Sequence, residues 1–239
     1  MNRNIILTGA SGAIGQAIAA RFFEAGDRLM LAGNTQKKAL LKLSEGMNDR
    51  VSLFFGDLRT PEACEALLAE ADDFFGTPDI LINNAGISQV GLCQDATDAD
   101  DLSILSANLL SCMRLCRGAV DRMVRVKSGR IINISSVWGL YGASTEAAYS
   151  ATKGGMNAYT KALAKELAPS GIAVNALALG AVDTPMNGHL TPAERESLAE
   201  EIPLGRMATP AEVADMVFLT AEAPLYLTGA VIPFDGAWF

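Results

Sequence analysis

The sequence has few of the features that mark a metalloprotein, a membrane protein or a nucleic-acid-binding protein. It contains one histidine, His189, so neither a histidine-based catalytic triad nor a histidine-rich metal site is available. The formal net charge of −8 argues against a nucleic-acid partner and, more weakly, against an acidic partner protein. No apolar run reaches about 18 residues, so no transmembrane helix is expected. The first apolar stretch, Ile5 to Leu7, is too short for a signal peptide.

Cysteine is also scarce, with residues at 64, 93, 112 and 116. In a chain of 239 residues, four cysteines are expected to be reduced thiols rather than a disulfide framework, which favours the cytoplasm. Cys112 and Cys116 lie one helical turn apart, and two thiols without further ligands are expected to reflect packing. Hydrophobic residues, by contrast, make up 50% of the chain, enough for a large core.

Short apolar runs alternate with longer helical patterns from end to end. Helices are predicted from about Ile14 to Ala25, Pro61 to Phe75, Asp98 to Val126 and Ala147 to Ala168. The alternation predicts an α/β fold: one Rossmann-type domain over residues 1–239, with a doubly wound parallel sheet of about seven strands and helices on both faces. Its cofactor half covers about residues 1–90, and its catalytic and substrate half about 91–239. The predicted strands are NIILT, RLMLAG, VSLFF, DILIN, RIINIS, IAVNALAL and AVIPF.

A glycine-rich turn follows the first predicted strand in LTGASGAIG. The strand ends at Thr8 and a helix begins within residues 11–14, so the free N–H groups of its first turn suit a pyrophosphate. Gly9 and Gly12 would keep side chains away from this ligand, and Gly15 would let the helix pack close to the sheet. In the context of alternating strands and helices, the turn predicts a nucleotide site.

The second strand ends near Gly33, where such folds place an acid on the adenosine ribose. Asn34 follows instead, and the absence of a carboxylate favours NADP over NAD because an acid would repel a 2′-phosphate. Asn34, Thr35 and Lys37 or Lys38 are candidates to contact that phosphate. For Lys38, a solvated helix face is the better interpretation.

Tyr149 and Lys153 are four residues apart on a predicted helix and therefore share a face. A phenol is a poor acid–base catalyst at neutral pH, and a nearby ammonium is expected to lower its pKa. Ser136 ends the preceding strand at the carboxyl edge of the sheet, where open α/β folds bind ligands. Its hydroxyl is therefore expected to hold a substrate oxygen.

With these residues in place, the chain resembles the short-chain dehydrogenases/reductases over essentially its whole length. Ser136 precedes Tyr149 by 13 residues, the usual gap in that family. The matching segments are TGASGAIG (8–15) for the cofactor turn, GDL (56–58), NNAG (83–86), SANLLS around Asn108, the Ser136–Tyr149–Lys153 group, and Thr184 in LGAVDT.

The resemblance implies that Tyr149 is the general acid in reduction and that Lys153 binds the nicotinamide ribose. Ser136 would hydrogen-bond the substrate oxygen, and Asn108 would position a water that feeds a proton relay. No metal is implied. The implied cofactor contacts are Thr8, Gly9, Ser11, Gly12, Ile14, Gly15, Asn34, Asp57, Leu58, Asn84, Ala85, Gly86, Tyr149, Lys153, Gly180, Val182 and Thr184.

The chain departs from the family pattern in four places. Ala13 stands where the turn usually has glycine, and Gly12 gives the spacing of the extended branch, which includes epimerases and dehydratases. Leu179 replaces a proline before Gly180, so a less rigid loop is expected under the nicotinamide. The chain ends in FDGAWF where relatives usually have a second glycine. Neither usual arginine for the 2′-phosphate is present. An epimerase or dehydratase would retain NAD tightly without turnover.

Within the family, GRIINISS (129–136) and residues 205–236 resemble 3-oxoacyl-(acyl-carrier-protein) reductases. This implies NADPH-dependent reduction of a carrier-linked 3-oxoacyl thioester in fatty acid biosynthesis. The same chemistry on a free small alcohol or ketone, such as a sugar, polyol or steroid-like compound, is the alternative. A non-catalytic nucleotide-binding protein is a third possibility, disfavoured by the intact catalytic residues.

The resemblance also implies docking of an acidic carrier protein at basic residues near the mouth of the site. Lys127 matches one docking position, with Arg122, Arg125 and Arg130 close in sequence, whereas Ser170 occupies the second. A solvated helix end with favourable charge–dipole placement is an equal alternative for these residues.

Three further expectations concern the surroundings of the site. Trp138 and Tyr141 either line the substrate cleft or pack in the core. Residues 186–207 are expected to form a lid that excludes water, by analogy with the family. The helices carrying Asn108 and Tyr149 are apolar enough to pair with other copies, and a homotetramer or homodimer is expected.

Overall fold

The computed structural model describes residues 2–185, 188 and 190–239, and its seven parallel strands form one sheet. The strands are β1 (Asn4–Thr8), β2 (Arg28–Gly33), β3 (Val51–Phe55), β4 (Ile80–Asn83), β5 (Gly129–Ser136), β6 (Ile172–Leu179) and β7 (Val231–Phe234). Their spatial order is β3-β2-β1-β4-β5-β6-β7. The order reverses between β1 and β4, and this places a ligand crevice at their carboxyl ends. The predicted Rossmann-type fold is confirmed.

Helices cover both faces of this sheet. They are α1 (Ala13–Glu24), α2 (Lys37–Ser44), α3 (Pro61–Phe75), α4 (Asp98–Leu105), α5 (Ser111–Val126), α6 (Trp138–Tyr141), α7 (Ala147–Leu167), α8 (Pro192–Glu201) and α9 (Pro210–Glu222). One core cluster packs α3, α5 and α7 on one face, and a second packs α1, α2 and α9 on the other. All eight residues of β6 are buried, because helices cover both of its faces.

The helices differ from the sequence-based expectation in several places, and α9 is one of the helices that were not predicted. The predicted helix over residues 98–126 is continuous but contains a π-helical turn at Ser106–Leu110, which separates α4 from α5. The polar stretch 34–50 contains α2, in which Leu40 alone is buried. The short α6 follows β5 directly, where no helix was predicted.

The four cysteines form no disulfide in the part of the chain that the structure describes. Cys112 and Cys116 are buried free thiols in the core, and their Sγ atoms are hydrogen-bonded to each other at 4.0 Å. No described helix has the length and apolar character needed to cross a bilayer. Among the same residues, no group of three or more histidine, cysteine or carboxylate side chains is arranged to hold a metal ion.

Gly15 should be essential for the packing of α1 against the turn before it. A Cβ at this position would lie 2.2 Å from the Gly9 carbonyl oxygen, whereas one at Gly12 would meet only that oxygen at 3.6 Å. Alanine at 15 gains about 1 kcal/mol of helix propensity, but the overlap should cost about 3 kcal/mol or more. Denaturant unfolding of Gly15→Ala is therefore expected to show a loss of about 2 kcal/mol or more. Gly12→Ala is the control and should lose about 1 kcal/mol or less; equal losses would contradict the packing argument.

Candidate active site

Thr8, the last residue of β1, ties together the two strands at which the sheet order reverses. Its Oγ1 accepts hydrogen bonds from the backbone N–H groups of Asn84 and Ala85, both at 3.0 Å, and donates to the Ile82 carbonyl at 3.4 Å. The Asn84 side-chain amide donates in turn to the carbonyls of Thr8 and Gly9, at 3.0 and 3.1 Å. The glycine turn and the loop after β4 therefore form one hydrogen-bonded unit.

The glycine turn brings bare backbone to the carboxyl edge of the sheet. Gly9 has φ +65°, and a Cβ there would lie 2.8 Å from the Ala85 Cα atom. Gly9 therefore has no room for a side chain, and its backbone favours glycine. Ser11 lies in the same turn, and its carbonyl accepts a hydrogen bond from the Gln16 side chain at 2.7 Å.

The amino end of α1 has the properties of an anion site. Gly12 is its N-cap, and within the described residues this end has no side-chain cap and no acidic residue in its first turn. Four other helices, α3, α4, α8 and α9, are capped by threonine side chains. The first N–H groups of α1 thus suit a phosphate, and Ile14 packs beside them against the core.

The end of β2 presents polar side chains to solvent. Asn34, Thr35 and Lys38 are exposed. The Lys37 ammonium lies 5.6 Å from the centre of the Phe55 ring. None of the four is a carboxylate, so this end of the site is compatible with a 2′-phosphate.

Asp57, which follows β3, is held by a neighbouring arginine. Both of its carboxylate oxygens accept hydrogen bonds from the Arg59 guanidinium, the shortest at 2.6 Å, and these bonds lower the pKa of Asp57. Arg59 also donates to Ser103 Oγ at 3.2 Å. The carboxylate is thereby oriented at the carboxyl edge, and the adjacent Leu58 packs against the core.

The structure brings Ser136, Tyr149 and Lys153 together. Ser136 ends β5 with 7% of its surface exposed, and hydrogen bonding from its side chain acts to lower the pKa of Tyr149. Lys153 is 4% exposed, and its Nζ atom lies 5.6 Å from the centre of the Tyr149 ring and donates to the Ile134 carbonyl at 2.8 Å. Two hydroxyl groups and a buried ammonium therefore share one corner of the crevice.

The pKa of Tyr149 differs from the sequence-based expectation. Burial, with repulsion from the Glu146 carboxylate, raises this pKa to about 12, and the hydrogen bond with Ser136 acts in the opposite direction. The expected lowering by Lys153 is wrong for the chain alone, since burial lowers the pKa of Lys153 itself to about 8 and its ammonium is directed to a backbone carbonyl. At neutral pH the phenol is protonated and can donate.

Asn108, in the π-helical turn, fixes the loop that follows Asn84. Its amide oxygen accepts from the Ile87 N–H at 2.8 Å, and its amide nitrogen donates to the Ile87 carbonyl and to Thr152 Oγ1 at 2.9 and 3.2 Å. A Cβ on Gly86 would lie 3.2 Å from the Asn108 oxygen and 3.7 Å from the Lys153 ammonium. The side chain of Asn108 thus positions backbone beside Lys153, and its role toward a water stays a prediction.

The loop after β6 is tied to neighbouring backbone. Gly180 donates to the Phe234 carbonyl at 2.9 Å, and a Cβ there would lie 2.8 Å from the Asp235 Cα atom. Val182 forms an isolated bridge with Ala208. These bonds fix the loop despite the missing proline. Thr184 is partly exposed at its end.

Part of the expected lid is described. Residues 188 and 190–207 include α8, which an ion pair between Arg195 and Asp183 joins to the loop after β6. At its far end, Leu204 donates to the Gly236 carbonyl at 3.3 Å. Met186 and His189 lie outside the described residues.

An aromatic cluster lies next to Ser136, whose Oγ accepts from the Trp138 N–H at 3.2 Å. The Trp138 ring lies 5.1 Å from Trp238 and 5.4 Å from Phe239, and Phe239 stacks on Tyr141 at 4.7 Å. Tyr141 is 56% exposed and Phe239 is 50% exposed. The C-terminal departure from the family pattern therefore forms an apolar wall beside Ser136.

The basic residues expected at the mouth of the site lie elsewhere in the fold. Arg130 is the second residue of β5, at the opposite edge of the sheet and about 20 Å from Ser136 along the strand, and Lys127 caps the end of α5 just before this strand. Arg125 pairs with Asp121 at 2.7 Å, and Arg130 donates to the Ala223 carbonyl. Strand direction explains the difference, since the two ends of one strand lie on opposite edges.

Glu146 is a site residue that the sequence analysis did not identify. It precedes Tyr149 by three residues, so the two side chains lie on one side of the first turn of α7. Its carboxylate accepts from Ser88 Oγ at 2.9 Å and acts electrostatically on the phenol. The spacing of three was a usable signal, but glutamate is common on helix surfaces.

The fold and the site together define an α/β oxidoreductase with a serine, tyrosine and lysine at the carboxyl edge of its sheet. A family model for short chain dehydrogenases matches residues 3–195. The chain belongs to this family, whose members use NAD(P) cofactors.

Individual relatives cover nearly the whole chain. The chain is 39% identical to the uncharacterized oxidoreductase YmfI of Bacillus subtilis, covering 100% of this chain and 99% of the relative. It is 35% identical to the 3-oxoacyl-(acyl-carrier-protein) reductase FabG of Pseudomonas aeruginosa, with 98% and 96% covered. A solved structure from Agrobacterium tumefaciens, whose assigned activity is gluconate dehydrogenase, superposes with a TM-score of 0.92 at 29% identity, with 99% and 95% covered.

The buried Lys153 should give the pH–activity profile an alkaline limb, which is a fall in activity at high pH. Because its pKa is lowered to about 8, the ammonium is lost as the pH rises through that value. The kcat/KM for the nicotinamide cofactor, which reports the free enzyme, is expected to fall above pH of about 8. Arginine stays charged, so the remaining activity of Lys153→Arg should lack this limb. A limb at an unchanged pH in that variant would assign it to another group.

Proposed function

We propose that the protein catalyses NADPH-dependent reduction of a 3-oxoacyl thioester, linked to an acyl carrier protein, to the 3-hydroxyacyl form. The observation that carries this proposal is the grouping of Ser136, Tyr149 and the buried Lys153 at the carboxyl edge. The FabG relative, which is 35% identical over 98% of the chain, supports the 3-oxoacyl substrate and a place in fatty acid biosynthesis.

The catalytic roles follow from the chemistry of these groups. The nicotinamide, when bound, supplies a hydride to the carbonyl carbon. Ser136 would hold the carbonyl oxygen by its hydroxyl, and the phenol of Tyr149 would give that oxygen its proton as general acid. Lys153 would hold the nicotinamide ribose and help to reprotonate the phenol. Asn108 holds the loop that lies beside these groups. As part of the proposal, it also positions a water that relays protons.

The residues of the cofactor cleft fit a dinucleotide. The uncapped end of α1 suits the pyrophosphate, and the end of β2 suits a 2′-phosphate. Asp57 is oriented for the adenine. The remaining proposed contacts are Thr8, Gly9, Ser11, Gly12, Ile14, Gly15, Leu58, Asn84, Ala85, Gly86, Gly180, Val182 and Thr184.

The aromatic wall supports an apolar acyl portion on the substrate. Trp138 is next to Ser136, so an acyl chain extending from a carbonyl held there would lie along the rings of Trp138 and Phe239.

Docking of an acyl carrier protein is a separate part of the proposal. Lys127 lies at the far edge of the sheet, so a carrier docked beside it would have to serve the site of another copy.

Reduction or oxidation of a free small ketone or alcohol is the second candidate. The gluconate dehydrogenase structure, with its TM-score of 0.92, favours it, because that protein acts on a sugar acid by its assigned name. Turnover of sugars or polyols without turnover of a thioester would select this candidate.

The proposal includes assembly as a homotetramer or homodimer in the cytoplasm. Large apolar side chains are exposed on α4 and α5, including Leu102 at 63% and Met113 at 36%. Leu219 of α9 is 62% exposed on another face. Two separate apolar faces suit two kinds of contact between copies.

The first test is NADPH oxidation with an acetoacetyl thioester. Wild type should turn over, and Tyr149→Phe should lose activity about 100- to 10,000-fold because the proton donor is removed. Tyr226→Phe is the matched control, since Tyr226 is 98% exposed and should keep full activity. A fully active Tyr149→Phe enzyme would contradict the assignment of Tyr149 as the general acid.

Cofactor preference can be tested at the end of β2. Asn34→Asp places a carboxylate where the 2′-phosphate is proposed, so the ratio of kcat/KM for NADPH to that for NADH should fall about tenfold or more. Asn48→Asp introduces the same charge at an exposed position beyond α2 and should leave the ratio unchanged. An unchanged ratio in Asn34→Asp would show that no 2′-phosphate binds there.

A further inference from the structure

Glu146 places a carboxylate at the reaction centre. As the N-cap of α7 it is one turn before Tyr149, and it is partly exposed rather than buried. Among the described residues, Glu146 is the charged side chain whose field acts on the Tyr149 phenol. The other ionisable group nearby, Lys153, lies beneath the ring with its ammonium bound to the Ile134 carbonyl.

Two loops hold this carboxylate in place. Ser88, in the loop after β4, donates to its Oε2 atom at 2.9 Å. In the same pair of loops, the Gly91 N–H donates to the Thr145 carbonyl at 2.8 Å. Thr145 has φ +64°, a conformation that costs a threonine about 1 kcal/mol or more. The Gly91 bond maintains the loop despite this cost, and the Ser88 bond holds the carboxylate in a fixed position at the start of the helix that carries Tyr149.

A substrate carbonyl must reach the hydroxyls of Tyr149 and Ser136, within about 3 Å of both. A second charge on a small substrate, one or two carbons from that carbonyl, then lies in the region that the field of the Glu146 carboxylate reaches, one helical turn from its backbone. Like charges in this region repel strongly enough to change affinity about tenfold. A neutral thioester or ester at the same position has no such repulsion.

We propose that Glu146 is a specificity-determining residue that makes the site select neutral 3-oxoacyl compounds, such as thioesters and esters, and reject free carboxylates such as 3-oxo acids and sugar acids. This inference rests on the proposed function, since it names the substrate charge at the same site. It separates the two candidate substrate classes, because gluconate carries a carboxylate and a thioester does not.

The test compares two substrates of similar size that differ in charge, acetoacetate and its ethyl ester, by NADPH oxidation. Wild type should favour the ester. Glu146→Gln keeps an oxygen that accepts from Ser88 and removes the charge, so kcat/KM for acetoacetate relative to the ester should rise about tenfold. Glu166→Gln removes an equal charge from the exposed far end of α7, about 30 Å along the helix, and should leave the ratio unchanged. The same ratio in wild type and Glu146→Gln would overturn the proposal.

A second measurement needs no substrate. With fluorotyrosine incorporated throughout and the Tyr149 resonance assigned by Tyr149→Phe, fluorine NMR follows the titration of this phenol. Glu146→Gln should lower its pKa, because the carboxylate no longer repels the phenolate. If wild type reduces neither acetoacetate nor the ester, the acetoacetyl thioester assay decides the proposed function and this titration decides the role of Glu146. An unchanged pKa would then overturn that role, and a lowered one would support it.

Discussion

The hydroxyl of Thr8 is the contact on which the site geometry depends. It accepts hydrogen bonds from two consecutive N–H groups after β4 while its own strand leads into the glycine turn. The close approach of Gly9 to Ala85 follows from this bond, and so does the path of the loop that carries Gly86, Ile87 and Ser88. One side chain at a strand end therefore places both the backbone suited to a phosphate and the loop beside Lys153.

The second half of the chain meets this unit at two points. Asn108 holds the Ile87 backbone from the helix side, and Glu146 holds Ser88 from the start of α7. Both contacts join this loop to a helical segment, one at Asn108 and the other at the start of the helix that carries Tyr149 and Lys153. Because the two contacts lie on adjacent residues of one short loop, a shift of that loop would move the surroundings of Lys153 and Tyr149 together.

Most of the fold could be predicted from sequence because each strand is a continuous apolar run. The runs at 4–8, 28–33, 51–55 and 172–179 coincide with strands residue for residue. The grouping of Ser136, Tyr149 and Lys153 followed from a strand end and a helical spacing of four. The π-helical turn, the pKa of Tyr149 and the position of Lys127 did not follow, since they depend on hydrogen-bond register, burial and distance across the sheet. Sequence spacing carries none of these three quantities.

The buried ammonium of Lys153 lowers the stability of the folded chain. Its pKa is about 8 in the folded chain against an ordinary value of 10.5, so folding disfavours the charged form by about 3 kcal/mol. Below pH of about 8 the lysine is protonated in both states and the full cost applies. As the pH rises further, the folded chain loses the proton first, the cost decreases, and above about 10.5 it disappears. At neutral pH, then, the fold retains a destabilising charge that a neutral side chain would avoid. A cation kept at this expense beside two hydroxyl groups is explained by chemistry and not by packing.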